Sequence, residues 1–138
     1  MMKRRIFITD QDRDRLRNLL RKEQSTSDLD RPYLDTLSAE LDRAVIVPLE
    51  SIHADVVTMN STVRVRDKQS GRSTELTLVY PECAALDSDK LSVLAPIGTA
   101  LLGCRVGDEV SFAVPSGVRT CEIEEVVYQP EAAGDLHM

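Results

Sequence analysis

LSVLAPIGTALLGCRVGDEVSFAVPSGVRTCEIEEVVYQP, residues 91–130, sets out four structural instructions in succession. Leu91 to Leu94 is a short apolar run with strand character. Pro96 then stands where proline is tolerated in a helix, at its first turn, because the missing N–H would have no intrahelical partner there. The stretch therefore predicts a short helix opening at Pro96, with Ile97, Ala100, Leu101 and Leu102 on its apolar face and Gly103 as the left-handed residue that ends it. Val106-Gly107-Asp108 turns the chain into Glu109–Val114, where Val110, Phe112 and Val114 alternate with Glu109, Ser111 and Ala113, and a period of two marks a strand. Pro115-Ser116-Gly117 is a compact turn, and the β-branched residues of Val118–Tyr128 read as the returning arm of a hairpin.

Working towards the N-terminus, Val56–Met59 and Thr62–Arg66 read as short strands and Asp67–Gly71 as a polar turn. Thr74–Tyr80 pairs back across that turn, with Leu76, Leu78 and Tyr80 on one face and Thr77 and Val79 on the other. Pro81 closes the strand, and Asp87-Ser88-Asp89 turns the chain towards Leu91. About five antiparallel strands with one short helix covering a face make an α+β domain. It occupies residues 48–138, after a short linker around Pro48 to Asp55.

Residues 1–47 read differently. Ile6-Phe7-Ile8 is a short extended lead-in, Thr9 or Asp10 is a good N-cap, and Asp12 and Asp14 suit the positive end of a helix dipole. The first helix runs to about Glu23 with Leu16, Leu19 and Leu20 inward, and Gln24–Asp28 is a polar loop. Pro32 restarts the helix, and Leu34, Leu37, Leu41 and Ala44 form a heptad seam that Pro48 closes. The expectation is a short antiparallel helical hairpin, a small coiled coil, with arms of about 14 residues and about 20 Å each at 1.5 Å per residue.

Composition narrows the function. A hydrophobic fraction of 42% with 29% charged residues is that of a soluble globular chain. No apolar run approaches the roughly 20 residues of a membrane helix, and Ile6-Phe7-Ile8 is too short for a signal peptide, so a cytoplasmic location is expected. Cys83, Cys104 and Cys121 lack C-x-x-C spacing, so neither a disulfide framework nor a zinc site is indicated and buried, inert thiols are expected. His53 and His137 are equally isolated. Residues 1–24 carry eight basic against four acidic side chains, whereas the remainder carries nine against nineteen. An acidic body argues against a general nucleic-acid binder, and the basic N-terminal segment reads as a solvated helix face.

With its parts in this order, the chain resembles the Gre family of bacterial RNA polymerase secondary-channel factors, most closely its short members. The residues that carry the likeness are APIGTALLGCRVGDEV at 95–110, the PSG turn at 115–117 and YQPEAAGD at 128–135, together with DVVTMNSTVRVRD at 55–67 and LTLVYP at 76–81. The resemblance implies an FKBP-like C-terminal domain that docks on the rim of the polymerase secondary channel. It also implies an N-terminal hairpin that enters the channel with acids at its tip, which in cleavage factors hold a catalytic magnesium.

Cleavage factors carry at that tip an aspartate, a leucine next, and a glutamate three positions after the aspartate. Asp28 and Leu29 match the first two, but the third position is Arg31, which cannot bind a metal. Asp30 could substitute in principle, although the short hairpin should leave the tip short of the active centre; Asp28 and Asp30 read foremost as loop and N-cap residues, with contact to a basic channel wall as the further alternative. The family's docking segment resembles Leu94-Ala95-Pro96-Ile97-Gly98, giving Leu94, Pro96, Ile97 and Gly98 as polymerase-binding residues. Leu94 stands where cleavage factors often carry an acid, and an apolar anchor there is an alternative to an ionic contact; Leu94 and Ile97 as simple core residues is another. The resulting expectation is a monomeric, non-enzymatic regulator, without metal or cofactor, that competes with longer channel factors without stimulating RNA cleavage. The likeness to the short members also implies an effect on nucleoside diphosphate kinase, which would follow indirectly from altered transcription. The alternatives are direct protein regulation of that kinase, or prolyl isomerisation, for which the chain has few aromatics and no Trp.

Overall fold

The computed structural model describes residues 6–25, 32–84 and 89–135. Strand β1 (Phe7–Thr9) runs directly into helix α1 (Asp10–Ser25). Thr9 caps the helix, its hydroxyl oxygen accepting the Asp12 N–H at 3.0 Å. Helix α2 (Pro32–Arg43) is followed by strand β2 (Val45–Val47), which lies parallel to β1 with Phe7 opposite Val45 and Thr9 opposite Val47. The heptad seam extends the helix through Val45–Val47 up to Pro48, and the structure does not. Three successive β-branched residues lose side-chain freedom in a helix, and β1 offers them backbone partners, so the helix ends at Arg43. Parallel neighbours need a long crossover, and the helical segment supplies it. Leu16 and Leu20 of α1 and Leu34, Leu37 and Leu41 of α2 are buried, while Ala44 is half-buried beyond the helix end. Arg17 Nη2 of α1 lies 3.0 Å from Asp42 Oδ1 of α2.

The main sheet contains β3 (Thr62–Asp67), β4 (Ser73–Val79), β5 (Lys90–Ser92), β6 (Glu109–Val114) and β7 (Gly117–Tyr128), in the order β5-β4-β3-β7-β6. The expected β6–β7 hairpin is present, with Val114 opposite Gly117, and β3 is antiparallel to both β4 and β7. Strand β5, however, is parallel to β4, with Leu91 opposite Leu78. The chain leaves β4 through a 3-10 turn at Pro81–Cys83 and not through a tight hairpin turn, and it rejoins the sheet in the same direction. Cys83 is exposed on that turn, contrary to the expectation of three buried thiols; Cys104 and Cys121 are buried.

Two further expectations are corrected. Val56–Met59 is not a strand: only Val56 bridges, to Arg105, and the chain then turns, with Asn60 at a φ of 67°. Hydroxyl groups outcompete a ladder here, since the Ser61 Oγ accepts the Thr58 N–H at 3.0 Å. Besides the expected helix α3 (Pro96–Leu101) there is a single-turn helix α4 (Pro130–Ala133), opened by proline at its first position and closed by Gly134 in the left-handed region at φ 83°.

One buried cluster joins Ile6 and Ile8, the leucines of α1 and α2, Val63, Val65, Leu78, Val110 and Ile123 of the sheet, and Leu101 and Leu102. Gly103 makes this close approach possible. Its φ is +79°, and a Cβ there would stand 2.9 Å from Ile6 Cβ and 3.1 Å from the Phe7 carbonyl oxygen. The Phe7 N–H donates to the Gly103 carbonyl at 3.0 Å, and the Gly103 N–H donates to that of Val57 at 2.8 Å.

Candidate functional site

The residues predicted at the hairpin tip, Asp28, Leu29, Asp30 and Arg31, lie outside the described residues. The predicted docking segment lies between β5 and α3. Ser92 turns the chain: its hydroxyl oxygen accepts the Leu94 N–H at 3.1 Å and its carbonyl accepts the Ala95 N–H at 3.0 Å. The Thr99 hydroxyl then donates to the Val93 carbonyl at 2.6 Å, fixing α3 over the strand.

This geometry separates the four predicted residues. Pro96 is exposed at the first position of α3. Leu94 and Ile97 are half-buried against the core, each with one edge outward. Gly98 is buried, and its α-carbon faces the Ser92 carbonyl so closely that a Cβ would stand 2.2 Å from that oxygen. No ionisable side chain except Cys104 occurs from Leu91 to Cys104. The outward surface of the segment is thus apolar and rigidly backed by the strand beneath it. Among the described residues, no group of three His, Cys, Asp or Glu side chains is arranged to hold a metal ion. No helix among them is long and apolar enough to cross a membrane.

A polar node that the sequence reading missed lies where α1 meets the sheet. Asp12, only 4% exposed, accepts the Met59 N–H through Oδ2 at 3.1 Å. The neighbouring Thr58 hydroxyl donates to Glu131 Oε1 of α4 at 2.7 Å and lies 2.7 Å from Ser61 Oγ. Gln129, also buried, donates through Nε2 to the carbonyls of His53 and Val56 at 2.7 and 2.9 Å, so the C-terminal turn braces the whole 53–61 loop. Arg15 covers the Tyr80 ring at 4.4 Å. Burial, joined by the charge of Glu131, raises the Asp12 carboxyl to about 7 against the lowering effects of the Met59 N–H and Arg15. Burial and the same acid also hold the Tyr80 phenol well above its ordinary value. In sequence Asp12 looks like a solvated first-turn acid; only the tertiary contact with residue 59 reveals its position.

The surface of β3 is neutralised. Arg64 lies between Glu75 and Glu125 at 3.3 and 2.7 Å, and Glu122 receives Arg66 and Lys68, each at 3.2 Å. The sheet therefore presents no basic track for a nucleic-acid backbone.

Residues 52–128 match the family model for the C-terminal part of transcription elongation factors GreA/GreB, and residues 4–47 match that for the Rnk N-terminus. The chain is 46% identical to the regulator of nucleoside diphosphate kinase of Escherichia coli K12, over 94% of each. It is 40% identical to transcription elongation factor GreA of Thermoanaerobacter pseudethanolicus, over 66% of this chain and 58% of that one. Among solved structures, a prokaryotic transcription elongation factor GreA/GreB from Nitrosomonas europaea superposes with a TM-score of 0.74 at 45% identity, covering 91% of this chain and all of the other. These matches span both the helical segment and the sheet, and the chain belongs to the GreA/GreB transcription elongation factor family.

Proposed function

We propose that this chain is a transcription regulator that binds RNA polymerase at the rim of the secondary channel, competes there with longer Gre-type factors, and does not itself stimulate RNA cleavage. The observation that carries the reading is the length of the helical segment beside a complete family match. Helices of 16 and 12 residues correspond to about 24 and 18 Å at 1.5 Å per residue. A pair that short supports a reading as a small antiparallel coiled coil whose tip stops short of the catalytic centre. Arg31 at the third tip position adds a chemical reason, since a guanidinium cannot hold magnesium.

In this reading residues 1–47 form the hairpin and 48–138 an FKBP-like domain that docks, in the cytoplasm, as a monomer through Leu94, Pro96 and Ile97. Gly98 supports that contact from beneath. Nucleoside diphosphate kinase responds indirectly, through altered transcription. Two measurements test the proposal together. Purified protein should displace a longer cleavage factor from polymerase, with Pro96→Asp weakening it at least about tenfold if Pro96 is a central contact, and it should leave backtracked complexes uncut. Stimulated cleavage that Asp28→Ala abolishes would overturn the non-cleaving reading; capture of the kinase but not polymerase would favour direct regulation of that enzyme.

A further inference from the structure

The node around Asp12 has a property that its structural role does not require. A buried carboxyl on the first turn of α1 accepts the backbone N–H of Met59 and is also hydrogen-bonded with the Thr9 side chain. The loop that offers this N–H is held in turn by α4, through Glu131 on Thr58 and Gln129 on the carbonyls of His53 and Val56. The groups facing Asp12 come from every surrounding element. Arg15 comes from its own helix, Thr9 from the end of β1, Tyr80 from the end of β4, and Glu131 from α4. The acid among them is Glu131, and the facing cation, Arg15, is stacked on the Tyr80 ring.

We propose that Asp12 and Glu131 form a proton-controlled seat for helix α1, closed when Asp12 carries a proton and loosened when both acids are ionised. The neutral carboxyl places no charge against Glu131 and avoids the cost of a buried charge, which outweighs the preference of the Met59 N–H for the ionised form. Ionisation puts a negative charge on the buried Asp12 beside the half-buried Glu131, and moving the first turn of α1 towards solvent relieves it. Glu131 is thereby the sensor's counterpart, linking the C-terminal turn to the attitude of the helical segment. The inference stands apart from the identity of the partner, since it concerns the chain alone.

The test uses the full-length, isotope-labelled protein between pH 5 and 9, with the Met59 amide resonance and hydrogen-exchange protection of α1 amides as readouts. In the unaltered chain the Met59 amide should titrate with a midpoint near neutrality, and α1 protection factors should fall roughly tenfold across that midpoint. Asp12→Asn should abolish both transitions, and Glu131→Gln should move the midpoint down by about half a unit or more by removing one acid. A Met59 amide that does not titrate, a transition that persists in Asp12→Asn, a midpoint unmoved in Glu131→Gln, or α1 protection independent of pH would each overturn the proposal.

Discussion

Replacing Gly98 with alanine tests the packing on which the candidate docking segment rests. A Cβ at this position would stand 2.2 Å from the Ser92 carbonyl oxygen and 3.1 Å from both Ser92 C and Val93 Cα. Carbon and oxygen normally approach to about 3.3 Å, so α3 must retreat by about 1 Å. That retreat strains the packing of Leu101 and Leu102, both buried, at a cost of about 1–3 kcal/mol. It also stretches the 2.6 Å bond from Thr99 to the Val93 carbonyl, which contributes about 1 kcal/mol. Alanine returns about 1 kcal/mol through its better helix propensity. The net loss is roughly 2 kcal/mol, or roughly 6–10 °C in Tm for a chain of this size. Because the chain has no Trp, far-UV circular dichroism in a urea titration is the appropriate assay. The control is Gly71→Ala, where φ is +75° but nothing lies within 4 Å, so only the left-handed strain of about 1 kcal/mol applies. A Gly98→Ala protein as stable as the unaltered chain, or less affected than Gly71→Ala, would refute the reasoning. Loss of partner binding in a Gly98 variant is therefore informative only once its fold is shown to be intact, and exposed Pro96 is the cleaner probe.

Three further outcomes are expected. Thr9→Ala removes the fully buried cap of α1 and should cost about 1 kcal/mol in a urea titration. Asp12 binds its proton more tightly folded than unfolded, at about 7 against 3.8. Its contribution to stability is therefore present at low pH and lost as pH rises through that window, by up to about 4 kcal/mol; Asp12→Asn should gain stability relative to the unaltered chain between pH 5 and 8, measured by denaturation at each pH. Tyr80→Phe removes a buried hydroxyl that has no hydrogen-bond partner among the described residues, and it should leave stability unchanged or raise it by up to about 1 kcal/mol by thermal melting.

The parts of the fold legible in the sequence are those set by local rules. Alternation from Glu109 to Val114, the Pro115-Ser116-Gly117 turn, proline opening α3 and glycine at 103 in the left-handed region each act within a few residues. What escaped is set by partners distant in sequence. Val45–Val47 changes from helix to strand because Phe7–Thr9 lies beside it, and β5 takes its direction from how the chain returns after Pro81. Gly98 stood out only as part of a familiar segment, and the Ser92 carbonyl beneath it gives the physical reason for it. Asp12 looked like a dipole acid because nothing local distinguishes an aspartate facing water from one facing a backbone N–H that lies at residue 59.

The β1–β2 pair has a consequence for how such chains can vary. Both ends of the helical segment enter and leave through one hydrogen-bonded pair, with Phe7, Ile8 and Thr9 set against Val45, Ile46 and Val47. Everything between residues 9 and 45 can therefore be lengthened or trimmed while its base stays fixed to the loops beside the sheet through the Phe7–Gly103 and Gly103–Val57 hydrogen bonds. Insertions matched in both arms, in steps of seven residues, would keep the leucine seam in phase and add about 10 Å of reach per step. The pair thus works as a mounting, and helix length becomes an adjustable gauge that can change without redesign of the candidate docking segment on the sheet domain.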